Sequence, residues 1–200
     1  MVQLGQRRTQ EQRSSSTQDK LARAAFVLIR EFGYANFRVA SVGKEAGVSQ
    51  GGQLHHFPTK DSMTMAVIEY AIDIARQRTE VNLSGLKSSQ NLIATIAEDS
   101  RDYYFSDSFD VAMDVTKGCV GNSQMRHFIA EAHRAYRDYA ESAWCRRLLE
   151  SGWTKADAQD VIAMTASLVR GFAIRAMIRP DDKQLRRLLK RWQSMVEQSF

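Results

Sequence analysis

Apolar residues recur at helical spacing along nearly the whole chain, and a few polar or small-residue breaks divide the pattern into elements. Leu21, Ala24, Ala25, Leu28 and Phe32 mark one face of a first helix that starts at Ser16 or Thr17 and ends at Gly33. Val39, Val42 and Ala46 give the inner stripe of a short second helix, and Gly47 supplies a turn. Ser49 stands where its hydroxyl can cap a third helix, which begins at Gln50 and ends against Phe57 and Pro58. Thr59 can cap a fourth, carrying Met63, Ala66, Val67, Tyr70, Ala71 and Ile74 to about Arg78. Asn82 to Gln90 is small and polar, a break suited to a domain boundary. Helical patterns then cover about 87–105, 108–117, 122–150, 154–178 and 181–198. The expected fold is all-α, with about nine helices.

Composition agrees, since only two prolines and eleven glycines interrupt a chain in which Ala, Leu, Arg, Gln and Glu recur. No run approaches the roughly 18 apolar residues of a membrane span, and the basic N-terminus lacks the apolar segment of a signal peptide, so a cytoplasmic location is expected. Cys119 and Cys145 are too few and too isolated for a disulfide framework or a zinc knuckle. No nucleophile motif, phosphate loop or carboxylate pair at metal-ligand spacing speaks for an enzyme, a cofactor or a metal. His127 and Glu131 lie one turn apart, but His133 falls on another face.

Charge is unevenly placed. The net charge is +5, and residues 1–60 hold nine Lys/Arg against four Asp/Glu, whereas 61–200 hold 19 of each sign. The whole excess lies in the first 60 residues, which hold the second and third helices, as a phosphate-binding module requires. Those helices and their turn read as a helix-turn-helix, whose second helix enters the major groove of double-stranded DNA. Gln50 and Gln53 are the expected base readers, because a glutamine amide can bond adenine at two points. Arg38, Ser41, Lys44, His55 and Lys60 suit phosphates, and Ser49 completes the contacting set at the helix start. Gly51 and Gly52 let the backbone approach the groove closely. His56 and Phe57 are expected to pack at the helix end. Arg7, Arg8 and Arg13, in a polar arm over residues 1–15, could reach phosphates or a minor groove.

Residues 20–65 resemble the DNA-binding domain of the TetR family of bacterial transcription regulators. The resemblance rests on Ala24-Ala25, on Phe32-Gly33, on AGVSQG from Ala46 to Gly51, and on His56-Phe57 followed by Lys60. Arg38 stands where that family usually has a threonine, and Leu54 where it usually has a tyrosine. Both family residues commonly touch phosphates; Arg38 can substitute by charge and Leu54 cannot. The resemblance implies a homodimer whose recognition helices enter successive major grooves of a two-fold related operator. It also implies a repressor released by a small-molecule effector. The implied organisation is a basic arm (1–15), a helix-turn-helix domain (16–62) and an effector-binding and dimerisation domain (63–200) that pairs through its last two helices.

The residues support dimerisation independently. Between 154 and 178, Val161, Thr165, Leu168 and Phe172 fall on one side, and Ala163, Ala166, Ser167, Arg170, Ile174 and Met177 on another. A helix with two apolar or small faces has to be covered twice. In the last helix Leu185, Leu188, Leu189, Trp192, Met195 and Val196 offer a matching stripe. For the effector, Phe105, Phe109, Met113, Met125, Phe128, Tyr136, Trp144 and Phe172 could line a largely apolar pocket, with Tyr103, His127, Glu131 or Arg170 as polar anchors. Alternative readings are an activator, a ligand-independent DNA-binding dimer and, more remotely, an all-helical enzyme or carrier.

Overall fold

The computed structural model describes the backbone of residues 10–86 and 91–199, and side chains from residue 14 onward within those ranges. Among the described residues every regular element is helical: α1 (Gln10–Phe32), a single 3-10 turn (Tyr34–Asn36), α2 (Val39–Ala46), α3 (Gln50–His56), α4 (Lys60–Ser84), α5 (Leu92–Tyr104), α6 (Asp107–Gly118), α7 (Ser123–Glu150), α8 (Lys155–Ala176) and α9 (Asp182–Ser199). Helix α1 therefore starts inside the expected arm, while Arg7, Arg8 and the side chain of Arg13 lie outside the described residues. Helix α4 runs to Ser84, through the start of the expected break at Asn82, because Asn82 is held on the helix by bonds from its Nδ2 to Asp99 and Asp102.

The chain forms two compact units, one comprising residues to Ala71 with Val111–Ile129, the other Ile72–Asp110 with Ala130–Phe200. The first is larger than the helix-turn-helix domain expected over 16–62, and the expected division at 62/63 gives way to one inside α4. Its α1 buries Leu21, Ala22, Ala25, Phe26 and Ile29. That stripe leads to Gly33, which leaves Phe32 54% exposed and off the face expected for it.

Tyr34 shows why 111–129 belongs here. Its N–H donates to Asp114 Oδ2 at 2.6 Å, its hydroxyl lies 3.3 Å from Thr64 Oγ1, and Cys119 Sγ donates to that hydroxyl at 3.4 Å. Gly118 lies against the ring so closely that a Cβ there would sit 2.2 Å from Tyr34 Cδ1. Burial, reinforced by Cys119, pushes the phenol up to about 12, so it stays protonated at neutral pH.

In the second unit α5 packs against α8, and α9 covers both. Ile93, Ile96, Trp144, Leu148, Ala158, Val161, Ile162 and Val196 form the core. Thr154 caps α8 by accepting from Asp157 N at 3.2 Å. The buried stripe of α8 is Ala158, Val161, Ile162, Thr165, Val169 and Ala173, with Leu168 and Phe172 half-buried beside it. Thr165 is a buried hydroxyl that loses nothing by burial, because it donates to Val161 O at 2.7 Å and accepts from Trp192 Nε1 at 2.9 Å.

Candidate nucleic-acid interface and ligand cavity

Helix α3 is set on α2 by a tight turn and by side-chain bonds across it. Gly47 closes α2 in the left-handed region at φ 66° and ψ 32°, where a side chain would be strained. Val48 N then donates back to Gly43 O at 2.8 Å, and Ser49 Oγ accepts from Gly52 N at 3.2 Å. Phe57 ends the helix and is buried. One turn earlier on the same face lies Gln53, only 2% exposed. Its Oε1 accepts from Gly43 N at 2.7 Å, and its Nε2 donates to Val39 O at 2.9 Å. Those two backbone groups are the partners of a single i to i−4 rung of α2, so one carboxamide bridges a whole rung. Gly43 is part of the arrangement, since a Cβ there would lie 2.7 Å from Gln53 Oε1.

The expectation that Gln53 reads bases is therefore corrected: both ends of its amide are spent on α2, and the side chain faces inward. What α3 presents outward is Gln50, Gly51, Leu54 and His55, with Gly52 and His56 half-covered. Arg38, Ser41, Lys44, Ser49 and Lys60 are also exposed. Arg38 donates to Ala35 O and Phe37 O at 3.2 and 3.3 Å, and Lys60 Nζ lies 4.4 Å from the centre of the Tyr34 ring. Both cations are steered by their surroundings yet keep solvent access.

The second unit contains a cavity of about 370 Å³, whose wall includes Ile74, Ala75, Val81, Tyr103 and Tyr136 together with Arg78, Thr79, Asp99, Asp102, Ser106 and Ser108. This is large enough for a small organic ligand. Asp99 is the buried polar centre: Asn82 donates to its Oδ1 at 2.8 Å, while Trp144 Nε1 at 2.8 Å and Thr79 at 3.3 Å donate to Oδ2. Burial raises its pKa, and the bonds from Asn82, Trp144 and Thr79 work against that rise. Tyr103 and Tyr136 lie with ring centres 4.7 Å apart, and burial raises both phenols. The Tyr103 hydroxyl is 3.2 Å from His133 Nδ1, and burial lowers the pKa of that imidazole. At the rim Arg78 pairs with Asp102 at 2.9 Å.

Residues 21–67 match the family of bacterial regulatory proteins described as the tetR family. Over 182 residues, covering 91% of this chain and 90% of the relative, the sequence is 33% identical to the HTH-type transcriptional regulator CymR of Pseudomonas putida. The chain belongs to the TetR family. It is a DNA-binding transcription regulator. In fold it is similar to a transcriptional regulator from Rhodococcus, with a TM-score of 0.68 at 23% identity over 91% of this chain and 96% of that one. A regulator from Saccharomonospora viridis, crystallised with choline, has a TM-score of 0.67 at 17% identity, covering 92% and 96%.

Of the effector residues expected for this TetR-family chain, Tyr103 and Tyr136 reach the cavity wall. Phe109 is buried against Tyr103 and Tyr104, and Trp144 is core with its indole on Asp99. Phe105 is 37% exposed, and Phe172 is half-buried under Arg175. Met113, Met125, His127 and Phe128 fall in the first unit, where Met125 is core and His127 exposed. Glu131 lies at the surface beside Arg134, and Arg170 is exposed. At this cavity the expected aromatic and methionine residues are represented by Tyr103 and Tyr136, beside Ile74, Ala75, Val81 and a polar group around Asp99.

Sequence reasoning passed over Thr79 and Asp99 and weighed His133 only as a metal ligand. The available signal was position, since Thr79 lies four residues after Ala75 and Asp99 three after Ile96, which puts both on buried stripes. Among the described residues no group of His, Cys, Asp and Glu could hold a metal ion, and no helix is long and apolar enough to cross a membrane.

Proposed function

We propose that this regulator acts in the cytoplasm as a homodimeric repressor of a two-fold related operator, and that a small molecule held in the second unit's cavity releases it. The observation that carries the reading is the outward face of α3, slim at Gly51, headed by Gln50 and surrounded by Arg38, Ser41, Lys44, His55 and Lys60. Gln50 would read adenine, Ser49 would set the helix start against the backbone, and the surrounding side chains would bond phosphates. Gly51 and Gly52 would allow close approach.

Dimerisation is supported by the outer face of α8. Ala163, Ser167, Arg170, Ile174 and Met177 are exposed with Ala166 half-buried, and Met164 and Ile178 extend the same surface at 48% and 90% exposure. A row of exposed apolar and small residues on one helix face suits an isologous contact with its copy. In α9 Leu188, Leu189 and Trp192 are half-buried and Met195 is exposed, whereas Leu185 and Val196 are each 2% exposed and belong to their own unit's core. The expected place of Leu185 and Val196 in the interface stripe is corrected accordingly.

The cavity supports a largely apolar ligand bearing a polar group, stacked on Tyr103 or Tyr136 and anchored near Asp99. Such a ligand lowers operator affinity by its differential affinity for the free and DNA-bound states. The test is direct. The purified chain is titrated against its own upstream DNA by gel shift, with sedimentation to give its mass, and small molecules are then added. A saturable shift by a dimer, relieved by a ligand, supports the reading. Tighter binding with the ligand points to an activator, and no shift removes the reading.

A further inference from the structure

On the reading of α3 as the DNA-facing helix, we propose that Leu54 reads the 5-methyl group of thymine and so helps to set operator sequence. Leu54 is 48% exposed on the face that presents Gln50, Gly51 and His55, one turn along from Gln50. Its flank is bare, since a Cβ on Gly51 would meet nothing within 4 Å. A single exposed leucine is ordinary on a protein surface. On the outward side of a groove-facing helix it is not, because an aliphatic side chain there cannot hydrogen-bond phosphate, ribose or a base edge. The only apolar group that the major groove offers is the thymine methyl.

The placement also fixes a spacing. Four residues advance an α-helix by about 6 Å, and base pairs are stacked about 3.4 Å apart. Gln50 on adenine and Leu54 on thymine then lie within about two base pairs in each half-site. The inward turn of Gln53 strengthens the assignment: with that amide spent on Gly43 and Val39, Leu54 is the next side chain after Gln50 on the reading face.

The experiment uses the full chain. Bound sequences are first selected from random duplex DNA, and each thymine of the half-site is then replaced by deoxyuridine, which removes the methyl and keeps the base pair. One replacement is expected to weaken binding about fourfold, and the matching pair about sixteenfold, as loss of one buried methyl per subunit implies. Leu54→Ala, checked for an unchanged melting curve, should bind thymine and uracil sites equally. Gln50→Ala should keep the thymine preference and lose adenine discrimination. Indifference of the wild-type chain to uracil at every position, or a Leu54→Ala chain that still prefers thymine, overturns the proposal. If the wild-type chain binds no duplex at all, the DNA-reading assignment of α3 falls and this one falls with it.

Discussion

Gln53 shows how an inward-facing amide can pass for a recognition residue. In the sequence it is a polar side chain three residues after Gln50, on a helix of glycines, histidines and glutamines, and nothing local says which way it points. The signal lay four residues on, at Phe57, whose burial puts Gln53 on the inner face. Gln53→Ala removes a buried carboxamide with two bonds to α2 and leaves a void between α2 and α3, which should cost about 1–3 kcal/mol in urea unfolding. The same change should weaken binding to all DNA sequences alike, and a selective loss of sequence preference with normal stability would return Gln53 to the groove. Gly118→Ala forces a methyl into the Tyr34 ring and is expected to destabilise by roughly 1–3 kcal/mol in the same assay. His133 supplies a pH signature. Burial lowers its folded pKa, so its contribution is fully present above the unfolded value near 6.5 and is lost as pH falls through the folded value. Thermal melting should therefore drop between neutral and mildly acidic pH, and His133→Gln should flatten that part of the profile.

At the scale of elements the periodic pattern was informative, because α1 and α8 each bury one stripe in the core of their own unit. The starts and stops were less legible. The turn from Tyr34 to Asn36 is too short to show a period, and α4 outlasts the apolar run read for it because Leu83 packs on the second unit's core while Thr79 and Asn82 bond Asp99. In α8 Val161 and Thr165 are buried, Leu168, Phe172 and Ala166 half-buried, and Ala163, Ser167, Arg170, Ile174 and Met177 exposed, whereas Leu185 of α9 is buried. If α8 pairs with its copy, Ile174→Asp introduces a charge into the contact. It should shift the sedimentation coefficient to that of a monomer while leaving helicity by circular dichroism unchanged. Retention of the dimer mass would move the interface elsewhere.

Over the whole molecule, the charge partition was visible at once, with +5 in the first 60 residues and balance thereafter. It implies a strongly salt-dependent operator affinity, and Lys60→Ala should reduce the slope of log K against log salt by about one per subunit. The cavity was less legible, since Tyr103, Tyr136, Thr79 and Asp99 come together from α4, α5 and α7, and no local pattern links them. Nor does any local pattern foretell that residues 111–129 return to the first unit, a contact between Tyr34 and Asp114 across 80 positions. That return limits how the protein can be taken apart. A reading head ending at Ala71 is not a portable cassette, because it leaves behind Asp114, Gly118 and Cys119, which cover Tyr34. A chimera that grafts only residues 1–71 onto a foreign sensor should melt early, and one that also carries the α6 segment in its own place should recover. Exchange of sensors between such regulators is then constrained to cuts that keep both pieces of the head together.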